Sequence, residues 1–208
     1  MADDKRRAIL YATLCLLSER GFHGFSMKQL AERAGVAAGT IYLYFRDKED
    51  LIRQLYQDII SEVARRVFVD HDTSLPLYEQ YRRMMLNLWT FHLECPEIML
   101  SKVQFDSMPP DLLFGQRGKE MAVLLDQRDD VLDVFKPMME LYQRGRDSGE
   151  LKPFSDEMLS ALCIDPVCAL AREHYLGLLH INEEQLSAVI DATWDAIRWH
   201  PQPTVNPV

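Results

Sequence analysis

Between Gly35 and Lys48 the chain gathers groups that suit the hydrogen-bonding of an anionic polymer. Thr40, Tyr42 and Tyr44 carry hydroxyls and Lys48 carries an ammonium. Ala38 and Gly39 are small, so the backbone there can come close to whatever lies over it. A threonine hydroxyl can reach a base edge or a phosphate, and a phenol can reach phosphate oxygens. Lys48 would add a cation where a helix start already favours an anion. Upstream, Lys5, Arg6 and Arg7 are placed to add a phosphate or minor-groove grip. Nucleophilic or phosphate-cradling chemistry has no comparable support. The chain contains no GxSxG, no glycine-rich phosphate loop and no HExxH. His92, His174 and Cys168 lack metal-ligand spacing, so no metal or other cofactor is expected.

The elements that must hold these groups read as helices. Residues 4–20 put Ile9, Ala12, Leu16 and Leu17 on one face, and Gly21 stops them. Ser26 with Gln29 has capping-box spacing for a short helix over 26–34, which Gly35 ends. A third short helix over 37–44 carries the hydroxyls. Ile41 and Phe45 form its core stripe, which turns Tyr42 and Tyr44 outward. Asp47 caps a long fourth helix reaching about residue 68. Two short helices joined by a glycine turn match a helix-turn-helix unit, with 26–34 as brace and 37–44 as the reader of the major groove.

Charge divides the chain in the same place. Residues 1–53 carry a net +2 and residues 54–208 a net −11, which together give −9. An acidic body cannot itself hold a polyanion, so contact with DNA would fall to the head.

The stretch Gly21-Phe22…Met27-Lys28-Gln29-Leu30-Ala31…Ala34-Gly35-Val36-Ala37-Ala38-Gly39-Thr40-Ile41-Tyr42-Leu43-Tyr44-Phe45…Lys48-Glu49-Asp50-Leu51 resembles the N-terminal domain of TetR-type transcriptional repressors. Residues 143–151 also look like the turn that ends a late helix in many members. The resemblance implies an all-α chain with an N-terminal three-helix helix-turn-helix domain (1–53) and a C-terminal helical domain for ligand binding and dimerisation (54–208). It implies a homodimer that binds a pseudo-palindromic DNA operator, represses, and lets go when a small molecule enters the C-terminal domain. It places phosphate contacts on Ser26, Tyr42, Tyr44 and Lys48, and base contacts on Ala38, Gly39 and Thr40. Two positions depart from the pattern. Ala37 stands where a capping Ser or Thr is common. Leu43 is an apolar residue in a slot often polar, where it could touch a thymine methyl or simply be a neutral surface residue.

The body reads as further helices over about 76–94, 97–107, 129–146, 155–179 and 183–199, with helical residues from about 119. Its methionines and aromatics make Trp89, His92, Phe105, Met138, Met139 and Tyr142 the candidates for an effector pocket, and at helical spacing they serve equally as plain core. The expected effector is small and hydrophobic, with Asp106 and Glu140 as anchors should it be cationic. Pro137 is expected to kink the helix that carries Met138. The resemblance implies that the last two helices pair with those of a second copy. Leu186, Val189, Ile190, Trp194 and Ile197 form the apolar stripe proposed for that contact.

No apolar run approaches the ~18 residues that span a bilayer, and no secretory leader opens the sequence. A cytoplasmic protein with free thiols is expected. Cys163 and Cys168 would lie about 140° apart on a helix, so a disulfide between them needs unwinding. Two alternatives stand beside the regulator. One is a helical enzyme with a vestigial DNA-binding head, the other a regulator that senses redox state through its cysteines.

Overall fold

The computed structural model describes residues 2–109, 112–113 and 135–200. The chain is all-α. Among the described residues the elements are α1 (Ala2–Arg20), a 3-10 turn (Phe22–Gly24), α2 (Met27–Ala34), α3 (Ala38–Ile41), α4 (Lys48–Val67), α5 (Leu77–Glu94), α6 (Pro96–Asp106), α7 (Lys136–Asp147), α8 (Asp156–Tyr175) and α9 (Glu183–Ile197). One isolated antiparallel bridge joins Leu151 to Arg198. The helical residues expected from about 119 lie outside the described residues.

Residues 1–65 and 94–134 make one compact unit, and residues 66–93 and 135–208 make another. The core of the first is built on α1. Its expected face is buried, but so are Leu10, Thr13, Leu14 and Cys15. Burial continues round the helix because α1 packs against both α2 and α6. Leu30, Ile41, Phe45, Leu51, Ile52, Leu55 and Ile59 complete this core together with Phe105, so it draws on residues well past 53.

In the second unit α8 packs against both α7 and α9. The stripe assigned to a dimer contact is largely consumed here. Leu186, Ile190, Trp194 and Ile197 are buried within the chain itself, and only Val189 stays half exposed. The Trp194 ring lies 5.1 Å from Tyr81 and 5.7 Å from Tyr78, and the Tyr81 hydroxyl donates to Thr193 Oγ1 at 2.7 Å. The reason is geometric: periodicity reports that a face is covered, and here the chain's own helices cover it.

Pro137 does not kink a helix. It occupies the first turn of α7, where a missing N–H breaks no hydrogen bond. Among the described residues, Pro166 of α8 is a proline inside a helix, and it denies Leu162 its usual backbone donor. The turn after α7 is fixed by Gly145. A Cβ there would fall on the Leu151 side chain, and the Gly145 carbonyl accepts from both Glu150 and Leu151 N–H at 2.9 Å.

Candidate nucleic-acid interface

The brace helix α2 starts and stops as its sequence demands. Ser26 Oγ accepts from Gln29 N–H at 3.3 Å, and Ser26 N–H donates to Gln29 Oε1 at 2.8 Å, which closes the capping box. The Ser26 hydroxyl also lies 3.2 Å from Gln29 Oε1, so the side chain suggested for a phosphate is engaged in capping. Gly35 ends α2 with φ 65°, a left-handed conformation that disfavours any side chain, and its N–H returns to Ala31 and Glu32.

The reader α3 then begins at Ala38 behind Ala37, which caps with no side chain. Helical turns continue past Ile41: Leu43 N–H bonds Thr40 O at 3.2 Å and Phe45 N–H bonds Ile41 O at 3.0 Å. Ile41 and Phe45 are fully buried, which fixes the roll of the helix. Ala38 and Gly39 are exposed, and a Cβ built on Gly39 would meet no atom of the chain. Tyr42 is 55% and Leu43 82% exposed. Thr40 is half-buried. Tyr44 does not turn fully outward. It is half-buried and packs against the head core, with its ring 6.3 Å from Phe45.

Two of the expected cations are committed internally. Arg6 donates to Asp58 at 2.9 Å and to Gln54 at 3.2 Å, with its guanidinium 5.9 Å from the Phe45 ring centre. The Lys48 ammonium donates to the carbonyls of Phe22 and Phe25, the latter at 2.6 Å. Lys5 and Arg7 are exposed on α1.

Sequence reading passed over Arg46, which directly follows the core residue Phe45 at the exit of the reader. Its side chain is 80% exposed, while its N–H and guanidinium bind the Asp50 carboxylate at 3.0 and 3.3 Å. Burial pushes the Asp50 carboxyl up, but hydrogen bonds from Arg46 and Gln54 outweigh it and hold the group below its ordinary value.

The six residues proposed for an effector are divided between the two units. Phe105 belongs to the first unit, its ring 5.2 Å from Tyr56, whereas Trp89, His92, Met138, Met139 and Tyr142 belong to the second. Within that unit Trp89 and Met138 are buried and Met139 is half-buried. His92 Nδ1–H donates to Leu88 O at 2.7 Å, and the Trp89 ring lies 5.4 Å from His174. Two cavities of about 380 Å³ each are present among the described residues. One is lined by Thr73, Glu140, Gln143 and Arg144, the other by Tyr78, Glu150, Asp191, Trp194, Asp195 and Arg198. Neither includes any of the six. The two carboxylates considered as cation anchors form surface ion pairs, Asp106 with Lys102 at 2.7 Å and Glu140 with Lys136 at 4.0 Å.

The four cysteines are free thiols. Cys163 is fully buried, 3.2 Å from the Tyr142 hydroxyl, and burial pushes its thiol up to about 11. A thiol held protonated in this way is a poor nucleophile, which disfavours redox sensing at this residue.

Comparison with known proteins agrees with this geometry along most of the chain. Residues 9–55 match the family described as "Bacterial regulatory proteins, tetR family", and residues 76–198 match "Tetracyclin repressor-like, C-terminal domain". An HTH-type transcriptional regulator of Haemophilus influenzae is 30% identical over 196 residues, covering 94% of this chain and 96% of that one. A solved TetR family protein from Vibrio parahaemolyticus is 36% identical, covers 94% of this chain and 100% of its own, and superposes with a TM-score of 0.76. A crystal structure from Haemophilus influenzae is 29% identical, with 95% and 98% covered and a TM-score of 0.76.

Proposed function

Because this chain belongs to the TetR family of transcriptional regulators, DNA-binding proteins rather than enzymes, we propose that it is a repressor whose residues 1–53 hold a pseudo-palindromic operator as part of a homodimer. Residues 54–208 would dimerise and take up a small hydrophobic effector that releases the DNA.

The observation that carries the DNA-binding reading is the bare face of α3. Ala38, Gly39, Tyr42 and Leu43 are exposed together behind a fully capped brace, and the space over Gly39 is unfilled by the chain. A major groove supplies what that face lacks: phosphates for the Tyr42 hydroxyl, base edges for Thr40 and thymine methyls for Leu43. Binding of the purified protein to the duplex upstream of its own gene, followed by footprinting, tests this. Protection of two half-sites about one helical turn apart supports a dimeric reader. Binding that does not discriminate this duplex from random DNA overturns it.

The dimer contact proposed here uses the outer faces of α8 and α9. Met158 and Leu162 stand exposed on α8, and Ala188 and Ala192, four residues apart, stand exposed on α9. Small residues at that spacing let two helices approach closely. A two-fold pair of readers also matches a palindromic site.

The effector proposal rests on the interior of the second unit, where Met84, Met85, Trp89, Met138 and Tyr142 are buried beside Cys163 and the half-buried hydroxyl of Ser160. That interior is closed, so entry must part helices, and release requires the effector to prefer the parted state. Nothing in the pairing of Asp106 or Glu140 favours a cation, so the proposed ligand is neutral and apolar. Quenching of Trp89 fluorescence in a Trp194→Phe, Trp199→Phe background, across neutral aromatic, acyl-thioester and cationic ligands, tests this. Operator release by cations alone would overturn it.

A further inference from the structure

Lys48 is the first residue of α4, yet its ammonium does not project from the DNA-facing surface as a free cation. It donates to the carbonyl oxygens of Phe22 and Phe25, at the two ends of the 3-10 turn that precedes α2. The same nitrogen lies 3.8 Å from the Phe25 ring centre and 4.8 Å from that of Phe22. We infer that Lys48 is an internal clamp that sets the entry angle of the brace helix, and that its effect on DNA binding is exerted through that angle rather than through a phosphate. This rests on the DNA-binding reading above.

The chemistry of the cradle favours an ammonium. Two carbonyl oxygens and two π-faces surround one compact point charge, an arrangement that suits three freely rotating N–H donors. A planar guanidinium is larger, and its forked donors do not converge on two oxygens flanking the same nitrogen. A cation at a helix N-terminus is repelled by the dipole, and the carbonyls and rings offset that repulsion. Burial also lowers the ammonium's proton affinity, as expected for a charge withdrawn from water.

The mechanical consequence follows from the next residue. Phe25 is buried in the head core and immediately precedes Ser26, the N-cap of α2. Fixing the Phe25 carbonyl to α4 therefore fixes where α2 begins. Because α3 follows α2 through the single Gly35 turn, the position of the reader depends on that anchor.

A phosphate contact and a clamp differ in their response to salt. Each phosphate neutralised contributes about 0.9 to the slope of log Kobs against log salt. The duplex used is one selected from a random-sequence library by the wild-type protein. Lys48→Met is expected to lose about ten-fold in affinity at every salt concentration with the slope unchanged, and Lys48→Arg should fail to restore it. Phe22→Leu removes one ring of the cradle without touching a charge, and should also weaken binding with the slope unchanged. Should Lys48→Met fold poorly, Phe22→Leu carries the test. In the DNA-free protein, amide exchange at Gln29 and Leu30, whose N–H groups bond Ser26 Oγ and the Ser26 carbonyl, should accelerate in both variants. A slope reduced by about 0.9 in Lys48→Met, with affinity restored by Lys48→Arg, would overturn the clamp. So would unchanged exchange at the start of α2. If the wild-type protein selects no sequence, it is the DNA-binding reading that fails, and the exchange data still decide the clamp.

Discussion

The Arg6 guanidinium donates to Asp58 at 2.9 Å, linking residues 52 positions apart and tying the start of α1 to the second half of α4's first three turns. Gln54 receives a second bond from the same group at 3.2 Å. An arginine of the basic N-terminal cluster is thereby spent on holding two helices of the head together.

Arg6→Ala and Lys5→Ala should therefore separate. The Arg6–Asp58 pair is partly exposed, so its loss is expected to lower stability by less than about 1 kcal/mol. It should leave the salt dependence of DNA binding almost unchanged. Lys5→Ala should leave thermal unfolding unchanged and, if Lys5 meets a phosphate, flatten the salt dependence by about one contact. Paired calorimetric unfolding and salt titrations check both expectations.

On the reader, position and chemistry predict different phenotypes. Tyr42→Phe removes one hydroxyl from an exposed ring and should weaken binding to all duplexes alike, by roughly 1 kcal/mol. Thr40→Ala and Leu43→Ala should instead redistribute preference among operator variants. Loss of discrimination at a thymine by Leu43→Ala would be read directly from a panel of single-base substitutions. Uniform weakening by all three variants would contradict this division.

Trp194→Glu is expected to unfold the protomer rather than dissociate a dimer. Trp194 is only 5% exposed and packs on Tyr78 and Tyr81, so a carboxylate there should cost at least about 3 kcal/mol. Leu162→Glu, on the exposed face of α8, should give a folded monomer. Sedimentation and thermal unfolding of the two variants together check the assignment. A folded, monomeric Trp194→Glu would return the interface to the stripe on α9.

Alkaline pH should reveal the buried thiol. The folded-state value of Cys163 is raised to about 11 from an ordinary 9.0. Its contribution to stability is thus fully present below pH 9 and is lost as pH rises from there through 11, because the unfolded thiol ionises first. Two units correspond to about 2–3 kcal/mol. Tyr81 and Tyr142, also raised by burial, add losses of the same sign above pH 10. Urea unfolding at pH 8 and pH 10.5 should show a smaller fall in Cys163→Ala than in the wild-type chain.

Local signals in the sequence proved legible where a few adjacent residues determine the outcome. The Ser26/Gln29 and Asn182/Gln185 capping boxes form as spaced, Asp47 caps α4 through the Asp50 N–H at 2.7 Å, and Ile41 with Phe45 orients α3. What could not be read was the identity of the partner. Periodicity marked the face of Leu186, Ile190 and Trp194 as covered, without saying that α5 rather than a second chain supplies Tyr81. Residue type marked Lys48 and Arg6 as cations, without saying which way they turn. Pro137 gave no indication of whether it lay within a helix or at its start. Arg46 could have been found from its place directly after the buried Phe45.

The empty space above Gly39 bears on how such a protein changes over generations. The position lies in ordinary helical backbone with nothing within 4 Å of an added Cβ, so replacing glycine by alanine should stabilise the free chain by about 0.5–1 kcal/mol. Glycine at this position therefore weakens the fold of the free chain, a cost that only a partner fitting closely against it would offset. In the DNA-binding reading proposed above, mutation at this site would redirect the choice of operator while the chain folds as well as before, or better. The surface proposed to read DNA would thus diverge without first securing compensating changes in the core.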